Sequence, residues 1–177
     1  IITGLVGSEM CIRDRSDYNN DYKIQAQVWT QNSAEYRALC YQAFNAAKMN
    51  LDAIFFFDKK YDKPLAIIAD VDETVLDNSP YDGKLILNNT TYNRESWVEW
   101  GNLEIAEAIP GALEFLKYAS EKNVEIFYIS NRYSEQLDAT INNLKKLGFP
   151  DTKKSNVLLR SNTVSYTHLT LPTMIGV

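Results

Sequence analysis

The sequence predicts an α/β fold built on a Rossmann-like parallel sheet. Three apolar segments have the composition of buried strands: Leu65–Ala69, Val124–Ser130 and a segment that begins at Val157. Helical patterns separate them, and the order strand, helix, strand, helix, strand is typical of a parallel sheet with crossover helices. About 150 residues of such sequence are enough for one domain with a real core.

A helix is predicted before the first strand, from Asn32 to about Phe57. Asn32 is placed to cap it, with Glu35 three positions on as in a capping box. Apolar residues then recur at helical spacing from Tyr36 to Leu51. The preceding residues, Ser16 to Trp29, show no clear period, so we expect an arm or loop there.

Residues 79–109 follow the first strand and have an irregular pattern. They contain a turn signal at Asn88–Thr91 and at least one helical turn around Ser96–Trp100. The stretch is too long for a simple strand-to-helix connection, and long insertions at the ligand end of a sheet are usually functional. We therefore expect a small cap over the site.

The second half of the chain shows the regular alternation more clearly. Pro110 suits the first turn of a helix that continues to Lys122, and the strand Val124–Ser130 follows. A second helix is predicted from Ser134 to Leu147, ended by Gly148. A third strand begins at Val157.

Composition excludes several classes of protein. The net charge of −5 argues against general binding of nucleic acid or of anionic membranes, and no segment is long and apolar enough to span a bilayer. With only Cys11 and Cys40 and the single His168, the chain has no zinc cluster. Histidine-based phosphatase and Ser-His-Asp chemistry would depend on His168 alone.

Both ends of the sequence look foreign to the gene. Codons that can encode Val164–Leu169 read on the opposite strand as Met10-Cys-Ile-Arg-Asp14, and this inverted repeat resembles a sequencing-library adapter. We therefore expect residues 1–15 and 164–177 to be adapter-derived. They contain His168 and Cys11. The partial domain of interest then spans residues 16–163, with residues 79–109 as its insertion.

Two carboxylates and a hydroxyl directly follow the first strand. Asp70, Asp72 and Thr74 alternate after the apolar segment, and ligands bind at the carboxyl ends of strands in open α/β sheets. Such a group can hold a divalent cation and attack phosphorus. The alternative is an Asx-rich turn, although a turn needs only one such residue.

The end of the second strand offers further polar groups. Parallel neighbours end at the same sheet edge, so Ser130 and Asn131 should lie near Asp70 and can hydrogen-bond a phosphoryl oxygen. Alternatively, they cap the following helix. Arg132 is ambiguous and reads equally as an ordinary surface cation. In the insertion, Tyr81, Tyr92, Trp97 and Trp100 can stack on a flat substrate group; alternatively, the two tryptophans anchor the insertion to the body.

These motifs resemble the haloacid dehalogenase superfamily. The strings Asp70-Val-Asp-Glu-Thr-Val-Leu-Asp-Asn-Ser-Pro-Tyr81 and Phe127-Tyr-Ile-Ser-Asn-Arg132 are similar to those of bacterial class C acid phosphatases, including the outer-membrane lipoprotein 5′-nucleotidases. Residues 32–48 resemble that family's N-terminal helix. The likeness covers nearly all of Val28 to Thr163.

The resemblance implies a mechanism. Asp70 would attack phosphorus and form an aspartyl-phosphate, and Asp72 would act as general acid and then base. Mg²⁺ would bind the Asp70 carboxylate and the Asp72 backbone carbonyl. Ser130 would hold a phosphoryl oxygen, and Thr74 would orient the nucleophile loop. The substrates would be small phosphomonoesters, 5′-nucleotides among them, hydrolysed at acid pH.

The resemblance also implies a periplasmic or outer-membrane-anchored protein, with room for a lipid anchor upstream. Two motifs of the family do not occur here: a lysine after a segment like Val157–Thr163, and a later Gly-Asp-Asn-x-x-Asp string that completes the magnesium site. We therefore expect the C-terminal part of the fold to be missing, and this chain to bind Mg²⁺ weakly with little or no turnover.

Two other functions remain open at this point. One is a non-catalytic storage or binding protein on the same fold, as in related plant storage proteins. Storage needs neither Asp70 nor Asp72, so their presence favours an enzyme. The other is a different enzyme of the superfamily, against which the string Asp77–Tyr81 argues.

Overall fold

A computed structural model describes residues 21–57 and 63–160. The segments expected to be adapter-derived, 1–15 and 164–177, lie outside these residues. Among the described helices, none combines the length and apolarity that crossing a membrane takes.

Two helices open the described chain, where one was predicted. Helix α1 spans Asp21–Asn32 and helix α2 spans Ala34–Phe56. The expectation of an arm or loop up to Trp29 is therefore wrong from Asp21 onward. Helix α1 has no buried residue and so shows no apolar period. Its Gln27 side chain donates to the Ser79 carbonyl instead.

The predicted cap of the long helix is displaced by one residue. Ser33, not Asn32, caps α2, and its hydroxyl accepts a hydrogen bond from the Tyr36 amide at 3.0 Å. The Asn32 side chain donates to the Val28 carbonyl and so belongs to the end of α1. Neighbouring Asn and Ser are both good caps, so tertiary packing decides between them.

The insertion is more regular than its sequence pattern indicates. After strand β1, Ala66–Asp70, come β2, Leu76–Asp77, and two helices, α3 at Ser79–Leu87 and α4 at Arg94–Leu103. Strand β3, Glu107–Ala108, returns to pair antiparallel with β2. The predicted turn is confirmed, because Asn89 has a left-handed backbone between the helices.

The remaining elements complete the predicted parallel sheet. They are α5, Ala112–Glu121; β4, Glu125–Tyr133; a 3₁₀ turn at Ser134–Gln136; α6, Leu137–Leu147; and β5, Val157–Arg160. Strand order is β1-β4-β5, and both pairings are parallel. Asp70 pairs with Ile129, so the first two strands bring their carboxyl ends to one edge.

The core lies between this sheet and the helices. Fully buried Ile126 and Tyr128 of β4 pack with Leu116 of α5 and Leu144 of α6. Helix α2 lies on α5, where the Phe44 and Phe115 rings are 6.0 Å apart. The contact is close, because a side chain on Gly111, which has φ +87° and caps α5, would meet Phe44 at 3.2 Å.

Candidate active site

Asp70 is the last residue of β1 and the first residue of the site. Its Oδ2 accepts a hydrogen bond from the Thr74 hydroxyl at 3.2 Å. Burial raises the pKa of the Asp70 carboxyl, and hydrogen bonds from the Val71 amide and from Thr74 offset part of the rise. A partly desolvated carboxylate held by a neighbouring hydroxyl is suited to nucleophilic attack.

Asp72 lies on the loop beyond the strand, and four donors surround its carboxylate. Oδ1 accepts from Arg132 Nε at 2.9 Å and from Asn78 Nδ2 at 2.9 Å, and it lies 2.8 Å from Arg132 Nη2. Oδ2 accepts from the Ser130 hydroxyl at 2.8 Å. Both oxygens are therefore fixed, and Asp72 is held in one orientation.

Arg132 is buried, and its interpretation as a surface cation is wrong. The residue is 1% exposed, and besides Asp72 it donates to Asn78 Oδ1 at 3.2 Å and Thr140 Oγ1 at 3.3 Å. Strand alternation carries the missed signal: Ser130 and Arg132 are two residues apart on β4, so both point to the same side.

The structure places Ser130 and Asn131 differently from each other. Ser130 is fully buried; its hydroxyl donates to Asp72 and accepts from the Arg132 amide at 2.9 Å. Ser130 thus supports Asp72 in this arrangement. Asn131, by contrast, is exposed and lines the cleft.

The aromatic residues of the insertion divide between the two predicted roles. Trp100 is buried, and its indole N–H donates to Asn78 Oδ1 at 2.9 Å, so it anchors the insertion. Trp97 lines the cleft, with the Tyr81 ring at 5.2 Å and the Tyr92 ring at 6.2 Å. Trp97 therefore remains a candidate for contact with substrate, whereas Tyr81 is only 4% exposed at the cleft wall and its hydroxyl lies 2.8 Å from that of Ser96.

The cleft has a volume of about 310 Å³. Its lining combines carboxylates, amides, aromatic rings and two arginines: Asp72, Glu73, Asn78, Tyr81, Asp82, Tyr92, Trp97, Asn131, Arg132, Tyr133 and Arg160. Asp70, Thr74, Ser130 and Trp100 are not in this lining. Of the predicted site residues, the cleft wall therefore unites Asp72, Tyr81, Trp97 and Asn131.

Comparison with known proteins gives one family. The sequence model of the HAD superfamily, subfamily IIIB (acid phosphatase), matches residues 10–168. Two solved structures of the class C acid phosphatase from Bacillus anthracis are similar. One, with tungstate bound, is 41% identical with a TM-score of 0.77 and covers 82% of this chain and 60% of its own. The other is 40% identical with a TM-score of 0.80 and covers 85% of this chain and 62% of its own.

Two plant proteins are also similar. The stem 31 kDa glycoprotein of Glycine max is 28% identical over 89% of this chain and 57% of its own length. Vegetative storage protein 1 of Arabidopsis thaliana is 30% identical over 67% of this chain and 45% of its own length. This chain thus spans about half the length of the curated relatives that it matches.

Proposed function

Because this chain belongs to the acid phosphatase family of the HAD superfamily, subfamily IIIB, we propose that it is a magnesium-dependent acid phosphomonoesterase acting through an aspartyl-phosphate. One observation carries the proposal: Asp70 ends β1 beside an Asp72 carboxylate that Ser130 and Arg132 hold in place. A solvated turn has no need of a buried arginine to orient its second carboxylate.

The proposed reaction assigns each carboxylate a separate task. An Asp70 oxygen forms a bond to phosphorus while the ester oxygen leaves, and Asp72 gives that oxygen a proton. Asp72 then takes a proton from the water that attacks the aspartyl-phosphate, which regenerates Asp70 and releases phosphate. Thr74 orients Asp70 through its hydroxyl, Ser130 holds Asp72 in place, and Asn131 in the cleft wall binds a phosphoryl oxygen.

The donor set suits Mg²⁺, which prefers carboxylate and carbonyl oxygens. The Asp70 carboxylate and the Asp72 backbone carbonyl would hold the ion. When bound, it would neutralise charge between the anionic nucleophile and the phosphate ester. Residues 21–57 and 63–160 contain no cluster of three acidic, histidine or cysteine side chains that could hold a metal ion.

Small phosphomonoesters with a flat leaving group are the proposed substrates, with 5′-nucleotides among them. The support is the ring group of Tyr81, Tyr92 and Trp97 in the cleft wall, since stacking on aromatic faces favours planar groups. The proposed location is the periplasm or the outer membrane, by way of a lipid anchor. It is supported only by similarity to the bacterial family.

A single-turnover experiment tests the chemistry even if steady-state turnover is slow. The chain, in excess over a ³²P-labelled aryl phosphate with Mg²⁺, is quenched in acid, and the label on protein is counted. We expect label on the parent and none on Asp70→Asn. Label should persist on Asp72→Asn, because hydrolysis of its aspartyl-phosphate lacks the general base and slows by about 10²- to 10⁴-fold. EDTA should remove labelling of the parent.

A non-catalytic storage or binding protein is the second candidate. It is favoured by the similarity to the stem glycoprotein and the vegetative storage protein. A parent chain that binds phosphate but gives neither labelled protein nor free phosphate in this experiment would support it over the enzyme.

A further inference from the structure

The two arginines of the cleft have different partners. Arg132 is buried and committed to Asp72, Asn78 and Thr140. Arg160 is half-buried at the cleft wall, and none of the five ion pairs among the described residues includes it. Its charge is therefore not neutralised by a carboxylate of the described chain.

Tyr133 holds Arg160 at this place. The two residues pair in register across β4 and β5, and the Arg160 guanidinium carbon lies 4.3 Å from the Tyr133 ring centroid. A stacked guanidinium keeps its planar edge of N–H donors available for a carboxylate or phosphate. The Tyr133 side chain thus positions the arginine, and the N–H donors that this interaction does not use are left for a ligand.

The surroundings of Tyr133 make this end of the cleft positive. The Arg94 guanidinium also lies 4.3 Å from the ring. The Tyr92 and Tyr133 hydroxyls are 3.4 Å apart. The hydrogen bond with Tyr92, then the charge of Arg160 and a hydrogen bond with it, and finally the charge of Arg94, lower the pKa of Tyr133. Arg94, however, is paired with Glu135 at 3.1 Å. Among the described residues at this end of the cleft, Arg160 is therefore the arginine without a carboxylate partner.

We propose that Arg160, with the Tyr92 and Tyr133 hydroxyls, forms a subsite for a second anionic group of the substrate. This rests on the proposed function and narrows it: the substrate class is phosphomonoesters that carry a carboxylate or a second phosphate at the far end of a flat group. The rings of Tyr81, Tyr92 and Trp97 line the cleft wall that such a group would contact.

Strand geometry sets the length of this substrate. Asp70 pairs with Ile129 of β4, Ile129 pairs with Leu158 of β5, and Arg160 is two residues further along β5. Two residues of strand advance about 7 Å, and β1 and β5 lie on either side of β4, about 10 Å apart. A separation on the order of 10 Å between phosphorus and the second anion fits this placement. A para-disubstituted biphenyl provides that spacing.

Binding of non-hydrolysable phosphonates tests the subsite without requiring turnover. Calorimetric titrations with Mg²⁺ present would compare biphenyl-4-ylphosphonate, its 4′-carboxylate and the 4,4′-bisphosphonate. Charge-assisted hydrogen bonds are strong. We therefore expect the 4′-carboxylate and the bisphosphonate, which carry an anion at each end, to bind the parent about tenfold more tightly than biphenyl-4-ylphosphonate. A carboxylate-only or bisphosphonate-only gain also supports the subsite and identifies its anion.

Substitutions of the two arginines near Tyr133 show which residue causes any gain in affinity from the second anion. Arg160→Gln should abolish the tenfold preference and leave the affinity for biphenyl-4-ylphosphonate unchanged. Arg160→Lys should keep part of the preference, and a measurable reduction in this variant replaces the test if Arg160→Gln does not fold. Arg94→Gln is the matched control, since Arg94 stacks on the same ring but is already paired with Glu135. It should keep most of the preference.

Equal affinities of the parent for all three phosphonates would overturn the subsite while leaving the phosphomonoesterase standing. A preference that survives in Arg160→Gln would overturn it as well. If the parent binds none of the phosphonates, both the subsite and the proposed function fail.

Discussion

At the scale of single residues, the buried Arg132 guanidinium determines where the Asp72 carboxylate lies. Arg132 contacts Asp72 through Nε and Nη2, and Asn78 joins the same carboxylate to the Trp100 indole. Burying a charge is costly unless it is paired and hydrogen-bonded. The pair therefore stabilises the loop only while both partners are present.

Replacing Arg132 by an apolar residue should therefore lower the stability markedly. Arg132→Met leaves the Asp72 carboxylate, whose side chain is 19% exposed, without its cation, and we expect the free energy of unfolding to fall by about 3 kcal/mol. Urea denaturation at pH 7 measures this. In the control Arg94→Met, the lost pair with Glu135 is half-exposed, so the cost should stay under about 1 kcal/mol. Equal losses in the two variants would contradict the role of Arg132.

Asp52 provides a test of pH dependence away from the site. Asp52 accepts a hydrogen bond from the Tyr118 hydroxyl of α5, and it forms an ion pair with Lys48 at 2.9 Å. These interactions lower the pKa of Asp52, with the Tyr118 bond the larger cause. A lowered carboxyl pKa stabilises the folded state above the unfolded-state pKa, and this contribution is lost as pH falls through the folded-state pKa.

Asp52→Asn should accordingly lower the melting temperature slightly at pH 7. The difference from the parent should shrink as pH falls below the ordinary aspartate value of about 4. Thermal unfolding followed by circular dichroism at pH values from about 2 to about 7, a range that includes the ordinary aspartate pKa, measures this difference in melting temperature. A difference that stays constant with pH would show that the Asp52 charge is not the cause.

At the scale of elements, two helical glycines show how packing overrides helix propensity. In α4, a side chain on Gly101 would lie 2.3 Å from Gln136 Nε2, an atom that donates to the Trp97 carbonyl. In α3, a side chain on Gly83 would meet nothing nearer than 3.6 Å, at Gln31 of α1. Neither glycine has a positive φ, so the backbone permits alanine at both.

The same substitution should therefore have opposite effects at the two positions. Gly83→Ala should raise the free energy of unfolding by up to about 1 kcal/mol through helix propensity. Gly101→Ala should lower it by about 1 to 3 kcal/mol, because buried Gln136 must move. Urea denaturation of both variants decides the matter. Stabilisation by Gly101→Ala would mean that the contact between α4 and the 3₁₀ turn is loose.

At the scale of the whole molecule, the insertion is joined to the sheet domain by a few buried polar contacts. The Asn143 side chain, on α6, accepts from the Ala106 amide at 3.1 Å and donates to the Ala106 carbonyl at 2.9 Å. Asn143 is 2% exposed. Its carboxamide thus acts as a strand partner for the segment between α4 and β3.

Removing this contact should loosen the insertion as a unit. Asn143→Ala leaves both Ala106 groups buried without a partner, at a cost of about 2 to 4 kcal/mol. Hydrogen exchange should rise across α4 and β3 more than across β4. Asn142→Ala is the control, because Asn142 makes only an exposed contact with Glu104. Uniform loss of protection in Asn143→Ala would instead indicate one cooperative unit.

Regular alternation made much of the fold predictable. The β-branched strand patterns and the Gly148 helix end are local features, and the structure has these elements close to the predicted bounds. Helix α1 was missed because none of its residues is buried, so its sequence carries no amphipathic period. The insertion was read as irregular because its helices bury few residues, chiefly Tyr81, Leu85 and Trp100.

The sequence by itself determined where the two candidate carboxylates lie, and the tertiary structure decided their surroundings. Asp70 and Asp72 follow an apolar strand, and the carboxyl end of a parallel strand must face the ligand edge, so local pattern suffices. The burial of Arg132 and the anchoring role of Trp100 depend on partners far along the chain, Asp72 and Asn78. Burial and pairing are properties of packing, and spacing along a single chain does not contain them.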